Sequence, residues 1–248
     1  MTSKSTFVLA SLCVLSITIK AQAISKMTAQ EVLKKSIAFH DPKGNWASLH
    51  QKLYFHAKEK DNDNIREEVL LDNRATYFCH ISRADGKTIE KEMLDTLAIG
   101  RINGDTAMSG EDRKKYRLMP RQIKSARNSY VFLYGLPMKL MDKGTMLNDT
   151  VKIDTFNGKK YLVLSVKYEK GVGTDTWFHY INPQTFALEG YRFNHNRQPN
   201  DGEFIICQDL IEVEGIKMPK IRLWHENKTG EYMATDILEK VEAWAGKK

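Results

Sequence analysis

Cysteine is scarce in this chain, with three among 248 residues. None stands in a Cys-x-x-Cys or paired Cys/His spacing, so nothing signals a structural zinc site. Seven histidines do not replace it: His50 and His56 stand six apart on one strand face, too far to share an ion, and His179 and His195 lack a carboxylate at ligand spacing. The Gly-x-Ser-x-Gly elbow, His-Glu-x-x-His, the P-loop and a strand-borne Gly-x-Gly-x-x-Gly are also absent. No enzyme class and no cofactor is therefore indicated. Past the first two dozen residues no apolar run is long enough for a transmembrane helix. Internal repeats, low-complexity stretches and long linkers are missing too, and residues 24–248 are expected to form one domain.

What is present begins with MTSKSTFVLASLCVLSITIKAQA. Basic Lys4, the apolar run from Phe7 to Ile19 and the ending Ala21-Gln22-Ala23 read as a secretory signal peptide, leaving a soluble exported protein from Ile24. Leu12 is too bulky to precede a lipid-anchor cysteine at Cys13. Cleavage removes Lys4 and Lys20 and no acid, so the formal charge falls from +7 to +5. That is too slight for a nucleic-acid surface. Cys79 and Cys207 remain, in a compartment that permits a disulfide, yet each sits in an apolar strand-like run where buried free thiols occur.

The mature chain opens on MTAQEVLKKSIAFHDP. Thr28 and Glu31 spell a capping box, Met27 can staple onto Val32, and Asp41-Pro42 stops the helix, with His40 as a C-terminal cap complementing its dipole. Strands follow. SLHQKLYFHAK alternates Leu49, Leu53, Phe55 and Ala57 against polar residues. IREEVLLD, ATYFCHIS and KTIEKEML continue an antiparallel meander, and Asn103-Gly104 is expected to turn a further hairpin. From about 109 to 141 the period becomes helical, with breaks at Met119-Pro120 and Gly135 to Pro137. Its first part is basic, Arg113 through Arg127, and its second is YVFLYGLPMKLM. The sheet resumes with the Asn157-Gly158 hairpin and runs to the C-terminal region.

The stretch TWFHYINPQTFALEGYRFNH raises a packing question. Trp177, His179 and Ile181 lie on one face and Phe178 and Tyr180 on the other, so neither face is suited to water. Past the Asn182-Pro183 turn, Phe186 and Leu188 share one face while Tyr191 and Phe193 share the other. A bulge at Gly190 would bend the strand between them.

The order of elements from Thr28 to Val241, with YGLPMKLMD and TFNGKKYLVLSVKYEKGVGTDTWFHYINPQTFALEGYRF, resembles the LolA-like superfamily of periplasmic lipoprotein carriers. The resemblance implies a mainly β fold: an antiparallel, incompletely closed β-barrel (half-barrel) whose N-terminal helix and helical insertion plug an apolar cavity. It also implies non-covalent binding of a lipid or lipoprotein acyl chain. Cavity candidates are Leu53, Phe55, Tyr77, Leu162, Leu164, Val166, Phe178, Tyr180, Tyr191 and Phe193 on strands. The insertion adds Tyr130, Phe132, Leu136 and Met138 on a lid hinged at Gly135. The run Arg113–Arg127 would face an anionic membrane surface or an acidic envelope partner. The alternatives are an envelope adaptor on the same scaffold with its cavity filled by protein, and an envelope hydrolase.

N-terminal sequencing of the exported protein should read from Ile24. Retention of residues 1–20, or an acylated Cys13, would overturn the cleavage assignment.

Overall fold

The computed structural model describes residues 27–245. The segment read as a signal peptide lies outside them. Helix α1 spans Ala29–His40 and is closed by the expected capping box: Thr28 Oγ1 accepts the Glu31 N–H at 3.2 Å, and the Glu31 carboxylate accepts the Thr28 N–H at 2.8 Å. His40 is not the charged cap expected of it. It is fully buried, its Nδ1 donating to the Lys217 carbonyl at 2.5 Å and its Nε2 accepting the Leu188 N–H at 2.8 Å. A ring that must accept at one nitrogen is neutral, and burial pushes its pKa below the usual 6.5. The helix end is thereby tied to two strands instead of to solvent.

Among the described residues, thirteen strands form one antiparallel sheet. A meander comprises β1 (His50–Glu59), β2 (Asn62–Asp72), β3 (Tyr77–Ala84), β4 (Lys87–Leu94) and β5 (Leu97–Ile102). Asn103-Gly104 makes the expected tight turn, both residues at positive φ, but no further hairpin strand follows it. A single bridge joins Ile102 to Asp105, and the chain then enters α2 (Gly110–Lys115) and α3 (Pro120–Tyr134), the latter begun by a proline at its first position, where no N–H is needed. A short 3-10 turn follows at Met138–Met141.

The second half comprises β6 (Thr145–Leu147), β7 (Lys152–Phe156), β8 (Lys159–Tyr168), β9 (Thr176–Ile181), β10 (Leu188–Asn194), β11 (Glu203–Val213), β12 (Ile216–Glu226) and β13 (Tyr232–Ala243). Spatial order runs β5-β4-β3-β2-β1-β13-β12-β11-β10-β9-β8-β6, with β7 also on the outer edge of β8. The first strand pairs with the last, Leu53 opposite Val241. The sheet does not close, so the fold is the expected half-barrel.

Two apolar cores fill its inner face. Leu53, Phe55, Val69, Leu71 and Phe78 pack with Ile123 and Tyr134 of α3. Leu162, Leu164, Val166, Ile181 and Tyr191 pack with Val32 and Leu33 of α1. Leu133 touches both clusters, so α3 bridges them.

The β9–β10 hairpin is covered on both sides by protein. Ile181 belongs to the second inner core with Trp177 against it, and His179 is fully buried there. Its ring nitrogens have no well-aligned partner among the described residues, and burial pushes its pKa down to about 3. Outside, the Phe156 ring stacks on Tyr180 with centroids 4.0 Å apart, joining Tyr161, Val163 and Phe178. Gly190 is where this outer ring sits: a Cβ there would lie 2.5 Å from the Phe156 ring and 2.9 Å from the Ile205 carbonyl.

The register shifts between Leu188 and Gly190, which is the expected bulge. Its effect on the side chains differs from expectation. The extra residue resets the alternation, so Leu188, Tyr191 and Phe193 all join the inner core, with Phe186 packed against it.

Gly190→Ala should destabilise the fold by roughly 1–3 kcal/mol, the usual cost of an overpacked methyl. Urea unfolding checks this, and an unchanged midpoint would mean that Phe156 moves aside freely.

Candidate functional site

Eleven of the fourteen cavity candidates meet on the inner face or on the segments covering it. Leu53, Phe55, Tyr130 and Met138 gather in or against the first core, and Leu136, Leu162, Leu164, Val166, Tyr191, Phe193 and Phe132 in or against the second. Tyr77, Phe178 and Tyr180 do not join them. Tyr77 stacks on Trp244 at 5.0 Å, and strand alternation places it opposite to Phe78, which packs with Tyr130. The same parity turns Phe178 and Tyr180 outward, under Phe156. Gly135 is a point of close approach: a Cβ would fall 2.5 Å from the Trp46 ring, so the lid is packed where a hinge was expected.

A polar belt that the sequence reading missed crosses the inner face beneath α3. Glu67 of β2 lies 3.1 Å from His80 Nε2 of β3 and accepts the Tyr130 hydroxyl at 2.6 Å. Burial opposes its ionisation, but His80, Tyr130 and the charge of Lys91 outweigh this and hold its carboxyl below the usual range. Asp236 of β13 lies opposite Arg222 of β12 and accepts the Trp224 Nε1–H at 2.7 Å. Burial dominates there and pushes the carboxyl up.

Arg222 is fully buried. It donates to Tyr191 Oη, the Pro219 carbonyl and the Leu133 carbonyl, each at 3.2 Å, and its guanidinium lies 3.8 Å from the centre of the Tyr134 ring. Only about 80 Å³ stays open here, between Phe55, Glu67, Tyr130, Tyr134 and Asp236.

The larger space lies along the other flank of α3. A cleft of about 690 Å³ runs between α3, the segment Lys139–Thr145 and the β8–β9 connection. Phe132, Tyr168 and Trp177 form its apolar part, Phe132 meeting Trp177 edge-on at 4.9 Å and Tyr168 at 6.3 Å. Arg121, Lys124 and Arg127 of the basic run, with Lys139 and Lys143, line its polar part. The rest of that run is elsewhere, with Lys115 paired to Asp85 at 2.8 Å.

Cys79 and Cys207 are free thiols, and burial pushes both up to about 12, so neither is poised to react. No cluster of three or more metal-ligating side chains occurs among the described residues.

The open antiparallel half-barrel with helices on its inner face is a LolA-like fold. It is similar to a LolA superfamily protein from Nitrosomonas europaea, at 12% identity and a TM-score of 0.50 over 89% of this chain and 96% of that one. A putative outer membrane lipoprotein-sorting protein domain from Vibrio parahaemolyticus gives 10% identity and a TM-score of 0.47, with 88% and 93% covered. A DUF1329 family protein from Desulfovibrio piger gives 9% and 0.43, with 89% and 95% covered. The likeness to the Nitrosomonas europaea protein, at 12% identity, shows the fold alone. Residues 4–242 match the model of DUF6503, a family of unknown function, and the chain belongs to that family. No curated protein matches it.

The two half-buried carboxyls predict opposite pH signatures. Glu67, held low in the folded state, contributes stability above its unfolded value near 4.5 that is lost as pH falls through the lower folded value. Asp236, pushed up, favours folding only below its unfolded value near 3.8 and costs stability once the pH exceeds its folded value. Glu67→Gln should lower the melting temperature at pH 7, and Asp236→Asn should raise it. Both differences should shrink in acid, and melting curves of the same sign for the two variants would refute the assignment.

Proposed function

We propose that this protein is a non-covalent carrier or binding protein for an apolar ligand, a lipid or lipoprotein acyl chain, acting in the periplasm after export as a single domain. The observation that carries the reading is the cleft beside α3, where the aromatics of the second core reach the surface. Its volume of about 690 Å³ is in the usual range of ligand sites, roughly 300–1,000 Å³. Each methylene withdrawn from water contributes about 0.8 kcal/mol, so a long acyl chain needs no reactive group to be held. The family resemblance supports a carrier, and among the described residues no helix is long and apolar enough to cross a membrane.

The filled inner face favours a second reading, an envelope adaptor that presents its surface to a protein partner. Native mass spectrometry of the purified protein, followed by lipid extraction, separates the two. An acyl species that leaves on denaturation and rebinds to the stripped protein is expected. A bare mass, with no uptake of a fluorescent fatty acid, would remove the carrier reading.

A further inference from the structure

Helix α3 contains no acidic residue, yet it places Arg121, Lys124 and Arg127 at successive intervals of three. That spacing stacks like charges along one stripe, which weakens a helix. Arg121 and Lys124 also lie in its first turns, where the backbone dipole disfavours cations. Nothing in the helix itself accounts for the arrangement. The stripe forms one wall of the cleft, and Lys139 and Lys143 stand across from it, so five cations meet two carboxylates, Asp142 and Asp175.

Both carboxylates are already engaged. Asp142 pairs with Lys139, and Asp175 lies 3.2 Å from His195 Nδ1. Arg121, Lys124 and Lys143 make no ion pair with any described residue. Tyr168 lines the same cleft, and its hydroxyl is buried with no hydrogen-bond partner among the described residues. Burial and the nearby Asp142 and Asp175 keep it protonated, so it is a donor that lacks an acceptor.

We propose that the cleft binds one anionic amphiphile. Its acyl chain lies against Phe132 and Trp177, and its oxyanion, carboxylate or phosphate, accepts from Tyr168 and is neutralised by Arg121, Lys124 and Lys143. The assignment rests on the apolar-ligand reading and narrows it to a charge class. An incoming oxyanion relieves the repulsion along α3 and satisfies the stranded phenol at once, whereas a neutral headgroup leaves the cations facing one another.

Calorimetric titration of the delipidated protein with dodecyl phosphate, a nonionic dodecyl glycoside and inorganic phosphate tests this. Dodecyl phosphate should bind more tightly than the glycoside, and rising salt should erode the difference. Arg121→Gln with Lys124→Gln should weaken dodecyl phosphate by about five-fold per cation removed and leave the glycoside unaffected. Both residues are exposed and their charges strain α3, so the double variant should stay folded with a melting temperature equal to or above that of the wild type. Tyr168→Phe should weaken the phosphate ligand alone.

Equal binding of the two amphiphiles would overturn the anionic assignment and leave the carrier reading standing. Inorganic phosphate binding as tightly as dodecyl phosphate would reduce the cleft to a plain anion site and overturn the proposal. If neither amphiphile binds, both readings fall.

Discussion

A buried cation governs how the two halves of this molecule meet. Arg222 has no exposed surface and forms no ion pair among the described residues. Burying a charge costs several kcal/mol unless every donor is met, so its partners must all be in place together. They come from separate elements: Tyr191 of β10, the Pro219 carbonyl of β12 and the Leu133 carbonyl of α3, with the Tyr134 ring over the guanidinium. Leu133 lies in the last turn of α3, where unpaired carbonyls carry the negative end of the helix dipole. The helix end thus adds negative potential to that of Asp236, which lies opposite Arg222 on β13. The C-terminal end of α3 is thereby fixed over the seam between the two cores, while its N-terminal half extends along the cleft.

This division of α3 gives its two flanks different work. The flank over the inner face carries Ile123, Tyr130 and Tyr134 into a packed core where little space remains. The other flank keeps Arg121, Lys124 and Arg127 beside an open volume. A half-barrel is usually pictured as a hollow to be filled; here the hollow is occupied by the protein's own tyrosines, and the open volume has moved to the helix's side. Ligand entry along that side can leave Arg222 and its partners undisturbed.

Much of the architecture was legible in the sequence because local signals agreed with the fold. The capping box at Thr28 and Glu31, the Asn157-Gly158 turn, the breaks around α3 and the Gly190 bulge each rest on a few adjacent residues. The site was less legible, for reasons of parity and partnership. One bulged residue moved Leu188 to the face of Tyr191, and alternation from Phe78 sent Tyr77 outward. The polar belt escaped because inward positions were sought among apolar residues. Yet Glu67 shares its parity with Val69 and Leu71, and His80 shares its parity with Phe78, which was the available signal. His40 read as a cap because nothing local reveals that Leu188 and Lys217, distant in sequence, supply its partners.

The pairing of β1 with β13 also orders events in time. A chain made from its N-terminus completes the β1 to β5 meander early, but β13, which covers the open edge of β1, is made after every other described strand. Until then β1 presents an unsatisfied row of backbone donors and acceptors, and Leu53 and Phe55 lack the neighbours β13 supplies. Contacts of such long sequence separation make folding slow and leave the half-built sheet open to pairing with other chains. The vulnerable moment in the life of this protein is therefore the interval before β13 arrives, when a holding factor bound at the edge of β1 would do most to keep it from aggregating.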